Sequence, residues 1–130
     1  MPEINVLAVI VAAASSFLLG GLWYSPTLFG EVWKRAQGDA CPPAGHPAKV
    51  FGFSFLFALV AALAYALLMP RVAGLGPALC QGLLVGAGFV AMSFGINYQF
   101  ANRNTSMWLI DGGYHTAQFA IYGLILGVWH

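Results

Sequence analysis

The sequence predicts an all-α integral membrane protein, with four transmembrane helices and a short interfacial amphipathic helix after the first. Three observations carry this reading. Only 7% of the residues are charged, whereas a soluble domain carries about a quarter. Hydrophobic residues make up 60% of the chain. Finally, four windows, Ile4–Tyr24, Val50–Met69, Pro77–Gln99 and Met107–Trp129, approach or exceed the roughly 20 apolar residues that cross about 30 Å of hydrocarbon. Nearly all the charges and most of the prolines fall between these windows, where helices should end. Strands of a membrane barrel would alternate over about ten residues, and these runs are longer and continuous. The alternation in "VFGFSFLF" flows without punctuation into "ALVAALAYALLM", so it is read as helix. Residues 1–130 read as one domain without linker, repeat or low-complexity segment.

The first window opens on "MPEIN", which lacks the basic start of a secretory signal, so a retained helix is expected despite the small residues of "AAASS". Asn5, Ala12, Ala13, Ser16, Gly20 and Trp23 share one side of it. In "GGLWYSPTLFGEVWKR", Ser25 followed by Pro26 reads as a helix start, an N-cap hydroxyl before a residue without an amide hydrogen. Leu28, Phe29, Val32 and Trp33 then share one face and Glu31, Lys34 and Arg35 another, an amphipathic interfacial helix over about 26–36. Trp23, Tyr24 and Trp33 are expected at headgroup level as belt anchors. The alternative makes Trp23 and Tyr24 a gate or aromatic platform over a cavity.

The second window is apolar nearly all round, with Tyr65 the only hydroxyl in "FLFALVAALAYALL", and is expected to have the greatest lipid contact. On the third, Gly82, Gly86, Ser93 and Asn97 are expected to line one side. Lys34, Arg35, Lys49 and Arg103 fall in the first and third loops and Arg71 in the second, which places both termini outside the cytoplasm. Cys41 and Cys80 are then separated by nearly the membrane thickness, so no disulfide joins them. Cys41 and His46 supply two metal ligands where structural zinc needs four, so a turn is expected and no metal.

The fourth window poses the functional question. At about 100° per residue, Asp111, His115, Gln118 and Tyr122 fall within a wedge of about 60°. Gly112, Thr116, Ala120, Gly123 and Gly127 form a second stripe suited to close packing, together with Ser16, Gly20, Gly82 and Gly86 on other helices. Ile110, Tyr114, Ala117, Ile121, Leu124 and Val128 form a third face, expected toward lipid. The polar wedge must meet protein or water. One reading is a pocket at the cytoplasmic half, with Asp111, His115, Gln118, Tyr122, Asn97, Arg103, Trp23 and Tyr24 as ligand-binding candidates, in which Asp111 and His115 bind a cation or relay protons. The other has Asp111 paired with Arg103 at the membrane edge, with His115 and Gln118 as interhelical hydrogen-bond partners.

"GGLWYSPTLFGEVW" and "NYQF…LIDGGYHTAQFAIYGLILGVW" resemble a family of small bacterial membrane proteins, domain-of-unknown-function family 1761, and the resemblance runs along the whole chain. It implies a four-helix inner-membrane protein with no assigned activity. Its motif positions here are Gly21, Trp23, Tyr24, Pro26, Phe29, Gly30 and Trp33, then Asn97, Tyr98, Asp111, Gly113, Tyr114 and Gly123. The family pattern carries Asn as well as Asp at the position of Asp111, which implies hydrogen bonding rather than proton relay.

Function classes follow. The chain has no paired acid and base with a nucleophile, no metal quartet and no phosphate-cradling glycine loop, so an enzyme is not expected, nor a cofactor. A net charge of +1 argues against a nucleic-acid partner. A homo-oligomeric binding or transport protein is expected. The alternative is an accessory subunit or assembly factor docked on a larger membrane complex through the small-residue stripes.

Overall fold

The structure is a computed structural model that describes residues 4–37 and 46–129. Every regular element among the described residues is helical. The elements are α1 (Val6–Trp23), α2 (Gly30–Gln37), α3 (Pro47–Leu68), α4 (Leu75–Val85), a π-helical segment (Gly86–Val90), α5 (Ala91–Phe100) and α6 (Thr105–Val128). Three helical runs are long and apolar enough to cross a membrane: Val6–Trp23, Pro47–Leu68 and Leu75–Phe100. The last helix, α6, has 24 residues, about 36 Å at 1.5 Å per residue. It is long enough but less apolar than those three, because it is the helix the others enclose.

Local chemistry sets the ends. The Asn5 side chain accepts from the Ala8 amide at 3.1 Å and starts α1. His46 Nδ1 accepts from the Ala48 amide at 3.1 Å at the start of α3, so this imidazole serves as a helix cap. Cys41 lies outside the described residues, and Cys80 is an exposed thiol on α4. The Asn104 side chain accepts from the Ser106 amide at 2.7 Å and starts α6.

The interfacial helix begins later than its sequence suggests. Ser25 does not cap forward. Its hydroxyl donates back to the Leu22 carbonyl at 2.7 Å, and the amides of Leu28 and Gly30 close turns onto the Ser25 carbonyl at 3.1 and 2.9 Å. The chain doubles back so tightly that a Cβ at Gly30 would sit 2.3 Å from the Tyr24 carbonyl oxygen. The helix itself therefore starts at Gly30.

The core helix α6 packs most extensively on α4, then on α1, with α2 across its first turns and α3 resting mainly on α1. Small residues make this possible. A Cβ at Gly82 would lie 2.2 Å from the Phe119 carbonyl oxygen, and one at Gly123 would lie 2.4 Å from that of Ala78. Missing side chains let the two backbones touch. On the face Ile110, Tyr114, Ala117, Ile121, Leu124 and Val128, Ile110 is buried and the rest are half-buried, so neighbouring helices narrow the surface left there. By contrast α3 buries only Ala58, Ala62 and Tyr65.

The π segment corrects the assignment of the third window's inner face. A π turn adds one residue to the ladder and advances everything after it by about 100°. Gly82 before it and Gly86 at its first residue face α6, and Ala91 is buried after it. Phe94 and Tyr98 then turn inward, while Ser93 and Asn97, which continuous α periodicity would place on that side, are exposed.

Gly82→Ala and Gly123→Ala should each separate α4 from α6 and lower stability by about 1–3 kcal/mol. Gly52→Ala, where an added Cβ meets nothing within 4 Å, should leave it unchanged or raise it slightly. Thermal midpoints of the purified proteins in one detergent check the contrast.

Candidate functional site

The polar wedge of α6 resolves into two layers, one turn apart. In the outer layer Asp111, 8% exposed, is reached by three other elements. Tyr24, which follows α1, donates its hydroxyl to Asp111 Oδ1 at 2.5 Å, and Trp33 on α2 donates its indole N–H to the same oxygen at 3.1 Å. Tyr98 on α5 donates to Oδ2. All three donors are neutral. Burial, then the hydrogen bond to Asp111 and its charge, hold the Tyr24 phenol above its ordinary range, so it stays a donor.

Neighbouring contacts brace this layer. Trp23 donates its indole N–H to the Ile110 carbonyl at 2.9 Å and packs against Phe29 with the rings tilted 46° and centroids 4.9 Å apart. Tyr114 donates to the Ser16 carbonyl at 2.8 Å. Trp23, Tyr24 and Trp33 thus spend their polar groups on α6. Arg103 is not among the partners of Asp111. It is exposed, and with Tyr98, Gln99, Thr105 and Trp108 it lines a separate cleft of about 400 Å³. The Asn104 cap leaves Arg103 outside α6 while Asp111 turns toward α2. Asn97 lies outside the cluster for the reason of phase given above.

The inner layer belongs to His115. Its Nδ1 meets Gln118 Oε1 at 2.6 Å, and Gln118 Nε2 reaches Tyr122 Oη at 3.0 Å and Ser16 Oγ at 3.4 Å. The Ser16 and Tyr122 hydroxyls are 2.7 Å apart, and Tyr122 donates to the Ala58 carbonyl at 3.3 Å. Ser16, expected as a packing residue, is a polar member of this network. Phe94 stacks on the imidazole with centroids 4.8 Å apart and planes 18° from parallel. His115, Gln118 and Ser16 form the polar floor of a cleft of about 410 Å³, walled by Phe17, Phe57, Ala58, Ala61, Val90 and Phe119. Ser54 and Phe57 on its α3 rim are exposed.

Two partners of Asp111, Trp33 and Tyr98, were absent from the candidate residues. The family motif held the signal, since both are motif positions, and most of its aromatic and glycine positions gather around the outer layer. The chain matches the family model described as protein of unknown function (DUF1761) over residues 7–127. It belongs to that family. No curated protein and no solved structure matches it.

The geometry separates two substitutions at one position. In Asp111→Asn the amide oxygen keeps Tyr24 and Trp33, and the new N–H₂ donates to the Tyr98 hydroxyl, which can also accept; stability should fall by no more than about 1 kcal/mol. Asp111→Ala strands all three donors, each at about 1–3 kcal/mol, and should release α2. Thermal unfolding together with a red shift of Trp33 emission reports both. Deleting Gly88 should restore continuous α phase and carry Tyr98 off the carboxyl. Its cost should then fail to add to that of Tyr98→Phe in a double-mutant cycle.

Proposed function

We propose that this protein is a four-span protein of the bacterial inner membrane that acts by binding, and that its ligand sits between helices in the cleft floored by His115, Gln118 and Ser16. The observation that carries the reading is that cleft: apolar aromatic walls over a few convergent polar groups, with a volume of about 410 Å³, in the range of small-molecule sites. The fourth span is α6. A helix needs to be apolar only where it meets lipid, and the polar groups of α6 are met by α1, α2, α3 and α5. The distribution of Lys and Arg favours both termini outside the cytoplasm, with the Asp111 layer at the cytoplasmic end and the cleft about 6 Å deeper.

Binding is favoured over catalysis by how the two titratable groups are engaged. Both Asp111 oxygens accept from Tyr24, Trp33 and Tyr98, and His115 is tied to Gln118 rather than to the aspartate. The chain of hydrogen bonds from His115 ends on a backbone carbonyl, which passes no proton onward. The small-residue stripes that argued for a homo-oligomer, or for docking on a larger complex, are occupied inside this bundle. The ligand site is therefore placed within one protomer, and the exposed apolar faces of α3 and α5 are assigned to lipid.

Ala61→Phe fills the cleft from its α3 wall, where Ala61 is only half-buried. Organic extraction of gently purified protein, read by mass spectrometry, should release a stoichiometric small molecule from the wild type and not from this variant. Identical extracts from folded samples of both would remove the reading.

A further inference from the structure

Counting protons in the inner layer fixes the direction of every hydrogen bond. Around Gln118 Nε2, Ser16 Oγ, Tyr122 Oη and the Ala58 carbonyl there are four contacts. If the amide nitrogen of Gln118 faces Ser16 and Tyr122, its two hydrogens and the two hydroxyl hydrogens supply one proton to each contact. If the amide is flipped, only the two hydroxyl hydrogens remain for four contacts, and at two of them oxygen meets oxygen with no hydrogen between. The first arrangement is the satisfied one. The amide oxygen then points at His115 Nδ1, so Nδ1 must carry the hydrogen, and the neutral imidazole keeps its lone pair on Nε2.

That nitrogen has no hydrogen-bond partner among the described residues. It is also absent from the buried polar atoms lacking a partner, which are the Tyr65 hydroxyl and Gln81 Oε1. It is therefore accessible, and its residue lines the cleft. Phe94 and the Gln118 bond hold the ring from its face and its Nδ1 edge, so the open valence is fixed in direction.

We propose that the cleft selects a lipid-soluble molecule carrying a hydrogen-bond donor, an alcohol or phenol on an apolar body, which donates to His115 Nε2. This rests on the binding reading above and names its ligand class. A carbonyl or ether offers only acceptors and leaves Nε2 unmet. The walls, Phe17, Phe57 and Phe119 among them, favour an aromatic or branched body over a charged one.

Benzyl alcohol and anisole carry the same ring and the same count of heavy atoms, one with a donor and one without. The test follows the side-chain nitrogens of ¹⁵N-histidine protein in lipid nanodiscs at a pH where the imidazole is neutral, with His115 assigned by its loss in His115→Phe. In ligand-free protein His115 should show a protonated Nδ1 and a bare Nε2. Benzyl alcohol should shift Nε2 at a concentration about tenfold below any anisole effect, and it should protect the wild type, not His115→Phe, against thermal unfolding. That variant keeps a ring against Phe94 and loses the Nε2 lone pair together with the Nδ1–H that meets Gln118. A ligand-free tautomer with the hydrogen on Nε2 overturns the proposal. So do equal responses to the two probes; if Ala61→Phe then abolishes both, the binding reading stands without this ligand class. No response to either probe overturns the ligand class, while the extraction result decides the binding reading separately.

Discussion

A carboxyl group buried in the central helix of an apolar bundle must be surrounded by hydrogen-bond donors, and the rest of this fold is arranged to supply them. Unpartnered, such a group costs several kcal/mol in an apolar interior. Asp111 draws one donor from the end of α1, one from α2 and one from α5. The tight turn at Gly30 brings Trp33 back under the bundle, and the π segment rotates Tyr98 into reach. Each is locally unfavourable or uncommon: a backbone approach that excludes any side chain, and a ladder with one residue too many. Both make sense once the carboxyl is fixed as the point on which they converge.

The same constraint explains why α6 is central. A helix bearing Asp111, His115, Gln118 and Tyr122 on one side cannot offer that side to acyl chains, and its second stripe lacks the side chains to fill space. Covering both leaves little of its circumference free. The remaining face, which composition alone assigns to lipid, is narrowed by α1 and α2 until Ile110 is buried and Tyr114 donates to the backbone of α1. Lipid contact passes to α3, whose sequence is apolar all round and which needs no particular face inward.

How much of this was legible in the sequence depends on whether the signal was local. The wedge on α6 follows from its own periodicity and needs no neighbour to be seen. So do the small-residue stripe and the apolar character of α3. The partners of Asp111 are far along the chain, and no spacing rule links residue 24, 33 or 98 to residue 111. The nearest cation in sequence, Arg103, was the natural guess, and the Asn104 cap puts it on the other side of a helix start. Ser25–Pro26 has the composition of a helix start but uses its hydroxyl backward. The π turn has no residue code at all. It betrays itself only through phase, since Tyr98 rather than Asn97 is the residue that faces in.

The two layers of α6 are finished differently, and the difference separates a structural role from a binding one. Around Asp111 donors approach both oxygens and no group points elsewhere, so the layer is closed and can hold α2 but take nothing further. Around His115 the count closes everywhere except at a single ring nitrogen, and the residue that carries it lines the cleft. A network built only for stability would gain by covering that lone pair. The facing wall presents Phe57, Ala58 and Ala61, with one hydroxyl, that of Ser54, at its exposed rim, and none of these side chains is hydrogen-bonded to His115. The open valence is thus a property of both sides of the cleft at once, which is the arrangement expected of a site whose missing partner comes from outside the chain.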